Sequence, residues 1–127
     1  MSAKVLVVDD SATVRDLLER RLARKGFRVV TAADGVEGVE FCTRELPDVV
    51  LMDLHMPVMD GWAATRAIRA NEATAQIPVL ILTAYNSSRD RSAAMDAGAS
   101  DFDSKPISMP RLIAKMERLL GLEPSEE

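Results

Sequence analysis

The chain has 127 residues, of which 47% are hydrophobic and 28% are charged, and this size and composition are those of one folded domain and exclude a disordered polypeptide. No apolar run approaches the ~20 residues that a membrane-spanning helix requires. The formal net charge of -4 and the scattered basic residues argue against sequence-independent binding to nucleic acid, and the single cysteine rules out an internal disulfide.

The first apolar run, residues 5–8 (VLVV), ends in two adjacent aspartates, Asp9 and Asp10. The run is too short for the core of a signal peptide, so we predict no export signal and expect a cytoplasmic location. Ser11 is a candidate N-cap for a helix that ends at Gly26.

Four further apolar runs follow, separated by segments of helical periodicity, which is the spacing of βα units. We predict strands at residues 27–32, 49–52 and 79–82, and a short strand around Phe102. We predict helices between Gly35 and Pro47, at residues 62–70, at residues 89–97, and from Ser108 to Gly121.

The second predicted helix has three residues at helical spacing, Val36, Val39 and Cys42, which we expect to face the core. Cys42 is then a small core residue and not a reactive thiol. Residues 1–121 are predicted to form one domain, followed by an acidic, frayed tail at residues 122–127.

The strand segments VLVV, VVLM and VLIL do not alternate apolar with polar residues. Strands of this kind are covered on both faces, as in a parallel sheet with right-handed crossovers. We therefore predict a doubly wound α/β fold.

Polar residues stand where the predicted strands end. Asp9 and Asp10 follow the first strand, Asp53 follows the third, Thr83 ends the fourth, and Lys105 comes just after the fifth. In parallel sheets, functional groups gather beyond the carboxyl ends of the strands. If the first and third strands are neighbours, three carboxylates converge, and their mutual repulsion implies a bound cation.

The ligand types favour magnesium as that cation. Carboxylate oxygens are hard donors, and the one histidine and one cysteine of the sequence cannot complete a zinc or copper site. The sequence also has no dense acidic loop of the kind that binds calcium. A magnesium site flanked by a lysine and a threonine suits phosphoryl transfer, with Asp53 as the nucleophile that forms an aspartyl phosphate.

Four stretches of the sequence are typical of a known family: VLVVDDS, VVLMDLHMPVMDG, LTA and DAGASDFDSKPIS. Over residues 4–121 the chain resembles the receiver domain of two-component response regulators, and most of all the single-domain type that acts in chemotaxis. The resemblance implies a flavodoxin-like (βα)5 fold whose five parallel strands have the order 2-1-3-4-5. It also implies a phospho-accepting signalling switch that is not an enzyme beyond catalysing its own phosphorylation and dephosphorylation.

The resemblance further implies the roles of individual residues. Mg2+ would be bound by Asp9, Asp10, Asp53 and the backbone carbonyl of His55. Asp53 would accept the phosphoryl group as a 4-aspartylphosphate, while Thr83 and Lys105 would bind phosphoryl oxygens. The peptide between Lys105 and Pro106 is expected to be cis.

Phe102 is similar to the switch aromatic of the family. Phosphoryl charge on Asp53 would draw Thr83 inward, and the Phe102 ring would fill the space released, which alters the surface formed by residues 89–97 and 102–119. The simpler interpretation is an ordinary core phenylalanine.

The expected partners are a histidine kinase or histidine phosphotransfer protein as donor, and an unidentified downstream protein. Neither nucleic acid nor a membrane is expected as a partner, and the chain would act as a monomer or a phosphorylation-dependent dimer.

Two alternatives remain open. A phosphohydrolase of the haloacid dehalogenase type uses the same groups, but it needs a second acid two residues after the nucleophile, where this chain has His55. A receiver domain excised from a larger regulator or hybrid kinase would keep the same chemistry. In either context His55 and Tyr85 are expected at the rim of the site, where they would shield an acyl phosphate from water or, for His55, orient that water.

Overall fold

A computed structural model of the chain describes residues 2–122, in which strands and helices alternate. The strands are β1 (Lys4–Val8), β2 (Arg28–Ala32), β3 (Val49–Met52), β4 (Val79–Thr83) and β5 (Asp101–Ser104). The helices are α1 (Ala12–Arg24), α2 (Gly35–Glu45), α3 (Gly61–Ala70), α4 (Ser88–Asp96) and α5 (Met109–Leu120). The predicted tail lies outside the described residues, apart from Leu122. No helix in the described part of the chain has both the length and the apolar character to cross a bilayer.

The five strands form one parallel sheet in the order β2-β1-β3-β4-β5. Val8 pairs with Met52 and Met52 with Ile81, so the carboxyl ends of the three central strands lie side by side. The predicted fold class and strand order are confirmed. β3 and β4 are buried along their whole length, which is why their sequences show no polar alternation.

Helices cover both faces of the sheet. On one face, side chains of α2, α3 and α4 pack against Leu6, Val8 and the other strand residues that point the same way. On the opposite face, Val5, Val7 and their neighbours meet Leu18 and Leu22 of α1 and the apolar side of α5. Successive residues of one strand therefore enter different halves of the core.

Side-chain caps define where the helices begin. The Ser11 hydroxyl accepts a hydrogen bond from the Val14 N–H at 3.2 Å, and the Ser108 hydroxyl accepts one from the Arg111 N–H at 3.4 Å. Gly26 and Gly121, which follow α1 and α5, have φ of 94° and 70°. The helix starts and ends predicted at these four residues are confirmed.

The inward face predicted for α2 is partly wrong. Val36 is 42% exposed, and the buried positions of this helix are Gly35, Gly38 and Cys42. A β-carbon on Gly38 would lie 2.8 Å from a Val8 methyl group, so glycine allows α2 to approach the sheet. Cys42 is a core residue as predicted, and burial raises the pKa of its thiol to about 11.

Val58 has an unusual backbone conformation in the loop between β3 and α3. Its φ is 70°, in the left-handed region, and its side chain is 81% exposed. A β-branched residue is disfavoured there because the β-carbon crowds the neighbouring backbone. Burial of the side chain offsets little of this cost, so the loop carries local strain.

We expect Val58→Asn to stabilise the domain by about 1 kcal/mol, because asparagine enters the left-handed region more readily than a β-branched residue. Urea unfolding measures the change. Val58→Thr keeps the branched β-carbon while adding polarity, and it should leave the free energy of unfolding nearly unchanged. Equal stability of the Asn and Thr variants would show that the backbone at this position is not strained.

Candidate functional site

The candidate site lies at the carboxyl edge of the sheet, where β1 and β3 run side by side. The Asp53 N–H donates to the Val8 carbonyl at 3.0 Å, so the residue after β3 is held against the end of β1. The carboxylates of Asp9, Asp10 and Asp53 come together, with ligand oxygens within 4.8 Å of one another. The convergence of the three acids follows from the strand order that was implied by the resemblance.

Asp9 is 3% exposed and both of its carboxylate oxygens have partners. Oδ1 accepts a hydrogen bond from the Ser11 N–H at 2.9 Å, and Oδ2 accepts one from Lys105 Nζ at 2.8 Å. The contact with Ser11 joins the acid to the start of α1. Asp9 therefore has a local structural role beside its place in the acidic cluster.

Asp53 is 7% exposed, and its Oδ1 accepts a hydrogen bond from the Leu54 N–H at 2.8 Å. Burial raises the pKa of the Asp53 carboxyl above its usual value, and the negative charge of Asp9 adds to this rise. A hydrogen bond from the Thr83 hydroxyl, the positive charge of Lys105 and the Leu54 N–H oppose it. Because the net shift is upward, the ionised form of Asp53 is costly in the folded protein.

The Lys105 ammonium lies between two acids, 2.8 Å from Asp9 Oδ2 and 3.6 Å from Asp53 Oδ2. Burial by itself would lower the pKa of Lys105, but the hydrogen bond to Asp9 and the charges of both carboxylates outweigh it, so the pKa is raised. The lysine remains charged at neutral pH. The peptide that follows it, to Pro106, is cis as expected.

Thr83 is fully buried at the end of β4. Its hydroxyl oxygen accepts a hydrogen bond from the Tyr85 N–H at 3.2 Å, and the hydroxyl group lowers the pKa of the nearby Asp53 carboxyl. One side chain therefore connects Asp53 to the loop that leads into α4.

The donor set of the cluster suits Mg2+. Among residues 2–122, Asp9, Asp10 and Asp53 are the acids close enough to share one ion, and all supply hard oxygen ligands. Asp10 is exposed, so the cluster is open to solvent on one side. A small cation that keeps several waters fits such a site better than one that needs a complete protein cage.

Three aromatic side chains meet beside the site. The His55 and Tyr85 rings are in contact, with centroids 3.7 Å apart and ring planes tilted by 37°, and Trp62 meets His55 edge-on at 5.1 Å. Trp62 is half-buried and packs against the core. The pair of His55 and Tyr85 joins the loop after β3 to the loop after β4.

Gly61 and Arg15 also shape the site and were not predicted from the sequence. A β-carbon on Gly61 would collide with the Asp53 carbonyl oxygen, and the Gly61 N–H donates to the Leu54 carbonyl at 2.7 Å. The Asp60-Gly61 pair before the predicted helix was an available signal for such a close approach. Arg15 donates to the Asp9 carbonyl at 2.7 Å, a contact that no local pattern indicates.

Phe102 is 2% exposed and belongs to the core on the α4 side of the sheet. The guanidinium carbon of Arg91, on α4, lies 4.9 Å from the centre of the ring. The ring therefore contacts the helix that borders the predicted output surface.

Comparison with known proteins gives consistent matches along the chain. A family model described as the response regulator receiver domain matches residues 5–117. The chain is 42% identical over 119 residues to the transcriptional regulatory protein PrrA of Mycobacterium tuberculosis, an alignment that covers 94% of this chain and 50% of PrrA. The chain thus spans about half the length of the first curated relatives that it matches.

Solved structures give the same result. The chemotaxis protein CheY4 of Vibrio cholerae is similar with a TM-score of 0.89 and 33% identity, over 94% of this chain and 100% of that chain. The receiver domain of the sensor histidine kinase PA1611 from Pseudomonas aeruginosa was solved with a magnesium ion coordinated in its active-site cleft. It matches with a TM-score of 0.89 and 35% identity, over 95% of this chain and 99% of that chain.

We expect Asp53→Asn to stabilise the metal-free protein at neutral pH. The folded-state pKa of Asp53 is raised above its usual value of 3.8, so ionised Asp53 lowers stability as pH rises through the folded-state pKa. Below the unfolded-state value the carboxyl is protonated in both states, and the advantage of Asn disappears. Urea unfolding in EDTA across this pH range measures the difference. Asp16→Asn, at an exposed position of α1, is the control and should show no such rise; a pH-independent effect of Asp53→Asn would contradict the assignment.

Proposed function

The chain belongs to the family of response regulator receiver domains of two-component systems, and we propose that Asp53 is the residue that accepts the phosphoryl group. Members of this family are signalling switches, not metabolic enzymes. The single observation that carries the proposal is the position of the Asp53 carboxylate. It is nearly buried at the sheet edge, with the Lys105 ammonium 3.6 Å from one oxygen and the buried Thr83 at the end of the neighbouring strand β4.

In the proposed reaction, a carboxylate oxygen of Asp53 attacks the phosphorus of the donor, and the bond between phosphorus and the donor atom breaks. Lys105 neutralises charge on the phosphoryl oxygens, and Thr83 donates a hydrogen bond to one of them. Mg2+ bound by Asp9, Asp10, Asp53 and the carbonyl of His55 would supply further positive charge at the same oxygens. The chain catalyses only its own phosphorylation and dephosphorylation in this proposal.

The phosphohydrolase alternative is weaker because of His55. That chemistry needs an acid two residues after the nucleophile to protonate the leaving group, and here the position holds an imidazole in contact with Tyr85. We propose instead that the His55 and Tyr85 rings limit the access of water to the phosphorylated Asp53.

The proposed partners follow from the direction of phosphoryl transfer. A histidine kinase or histidine phosphotransfer protein supplies the group in the cytoplasm, and the output is a contact with a downstream protein. The domain acts as a monomer or as a phosphorylation-dependent dimer. Residues 1–121 form the receiver unit in this proposal, and the same unit would serve in a larger regulator, such as the named relatives that are longer than this chain.

The output mechanism that we propose begins at Thr83. A phosphoryl group on Asp53 attracts the Thr83 hydroxyl, which then gives up its contact with the Tyr85 N–H. The loop between β4 and α4 repacks around Phe102, and the Arg91 side chain that covers this ring moves with α4. The two packings of Phe102 are the states that phosphorylation shifts.

Incubation with a small acyl phosphate and Mg2+ should add one phosphoryl group per chain, because Asp53 is the one candidate nucleophile flanked by both Lys105 and Thr83. Intact-mass spectrometry measures the product. Asp53→Asn should prevent labelling, whereas the matched control Asp48→Asn should not. Labelling of Asp53→Asn to the wild-type extent would refute the assignment of the acceptor.

We expect Mg2+ to raise the melting temperature of the wild-type protein, since a ligand at about 100 times its Kd stabilises the folded state by about 2.7 kcal/mol. Asp10→Ala should lose most of this rise because one ligand is removed. In EDTA the same variant should be at least as stable as wild type, since repulsion among the acids is relieved. Asp16→Ala is the control for a generic loss of charge. A large fall in the metal-free stability of Asp10→Ala would mean that Asp10 is mainly structural.

Thr83→Ala should still be phosphorylated, but phosphorylation should no longer change the packing of Phe102 and α4. Amide hydrogen exchange, compared before and after phosphorylation, should change across residues 88–104 in wild type and change little in Thr83→Ala. Thr43→Ala, on α2, should behave as wild type. An undiminished response in Thr83→Ala would show that coupling does not pass through this hydroxyl.

A further inference from the structure

The last strand of the sheet, β5, has an open edge. Its carbonyl groups on this edge accept hydrogen bonds from basic side chains of α5. Lys115 Nζ donates to the Phe102 carbonyl at 2.6 Å. Arg111 Nη2 donates to the Ser104 carbonyl at 2.9 Å and to the Pro106 carbonyl at 3.3 Å. Alternate carbonyls along the unpaired edge are therefore satisfied by side chains instead of by another strand.

The N–H groups on the same edge are satisfied by acids within β5. The Phe102 N–H donates to Asp101 Oδ1 at 2.7 Å, and the Ser104 N–H donates to Asp103 Oδ1 at 2.9 Å. The alternating acids of the DFDS segment and the basic residues of α5 thus form one charged network along the edge of β5.

Arg111 has a special place in this network because its two carbonyl partners flank Lys105 in the sequence. Its Nη2 contacts the residue before the lysine and the residue after it, while its Nε donates to Asp103 Oδ1 at 2.7 Å. One planar guanidinium therefore bonds to the backbone on both sides of Lys105. The planar guanidinium has several donors in a fixed geometry, so it holds its hydrogen-bond partners in defined positions. An ammonium group supplies the same charge without this fixed geometry.

Asp103 anchors this arginine from inside the protein. The residue is 3% exposed, and its Oδ2 is buried with no hydrogen-bond partner among residues 2–122. Its Oδ1 also accepts the Ser104 N–H at 2.9 Å and lies 3.6 Å from Lys115 Nζ. Asp103 therefore ties the Arg111 guanidinium to the backbone of β5 close to Lys105.

We propose that Arg111, anchored by Asp103, is a positioning residue that holds the backbone around Lys105 so that the ammonium group lies between Asp9 and Asp53. The inference rests on the proposed function, because it assigns to Lys105 a role in phosphoryl transfer. In this role Arg111 touches none of the three carboxylates of the acidic cluster. Arg111 acts by holding Lys105 where its ammonium group lies 2.8 Å from Asp9 and 3.6 Å from Asp53.

The test is the initial rate at which the 127-residue chain is phosphorylated by a small acyl phosphate with Mg2+, measured by intact mass. Arg111→Ala should slow the reaction by about tenfold, since small displacements of a reacting group can cost up to ~100-fold. Arg111→Lys should be nearly as slow, because lysine keeps the charge but not the fork. Arg118→Ala is the matched control: it removes a charge from the same helix and breaks an exposed pair with Asp101 at 3.3 Å, and its rate should stay within about twofold of wild type.

A double-mutant cycle separates positioning from a general structural effect. In a Lys105→Met background, Arg111→Ala should cause no further slowing, because the group that it positions is gone. The proposal is overturned if the same slowing persists in that background, if Arg111→Lys restores the wild-type rate, or if Arg111→Ala is as fast as Arg118→Ala. If Arg111→Ala fails to fold, as judged by circular dichroism, the cycle is run with Arg111→Lys. Labelling of Asp53→Asn would instead refute the proposed function itself. Failure of the positioning role of Arg111 and failure of the acceptor assignment are therefore distinguishable.

Discussion

Two nearly buried carboxylates, Asp9 and Asp53, lie on neighbouring strands and share the ammonium group of Lys105. Burial and the negative charge of Asp9 raise the pKa of Asp53, and the positive charge of Lys105 opposes this rise only in part. The arrangement is tolerable because each acid also accepts a backbone N–H, from Ser11 or from Leu54. The lysine arrives from the loop after β5, two strands away from β3 in the sheet, so the charge balance at the site depends on the order of the strands. The arrangement of the sheet therefore determines the electrostatics of the site.

The backbone between Asp53 and α3 lies very close to the acidic cluster. Gly61 lies against the Asp53 carbonyl, where a β-carbon would collide, and Val58 is left-handed although it is β-branched. Both features belong to the short connection that returns the chain from β3 to the start of α3. Local conformational cost at such a connection is acceptable when the surrounding structure determines the backbone. The neighbouring pair of His55 and Tyr85 then joins this loop to the one after β4, so a change at Thr83 has a direct physical route to both loops.

Much of the fold was predictable because it depends on local patterns. Unbroken apolar segments require cover on both faces, so VVLM and VLIL indicated a parallel sheet, and capping residues such as Ser11 and Ser108 marked helix starts. Asp9, Asp53 and Thr83 could be proposed as site residues because each stands where a strand ends. Val36 was misassigned because helical periodicity does not indicate that glycines, and not the valine, lie where α2 approaches the sheet. The contacts of Arg15, and those of Arg111 on both sides of Lys105, were not predicted because they are made with backbone carbonyls, which every residue supplies.

By itself the sequence determined the class of fold, the strand-end positions of the acids, the threonine and the lysine, and the family to which the chain belongs. The class of fold and the strand-end positions follow from short-range periodicity and residue types, and the family follows from the resemblance of four sequence stretches to receiver domains. Only the tertiary structure decided which acid pairs with Lys105, which aromatic rings are in contact, and which basic side chains of α5 cover the open edge of β5. Those contacts join residues that are far apart in sequence, such as Asp9 and Lys105, whose sequence separation is 96. The physical reason is that hydrogen bonds and ion pairs depend on distances of a few ångströms in space, and such distances exist only after the strands and helices have packed.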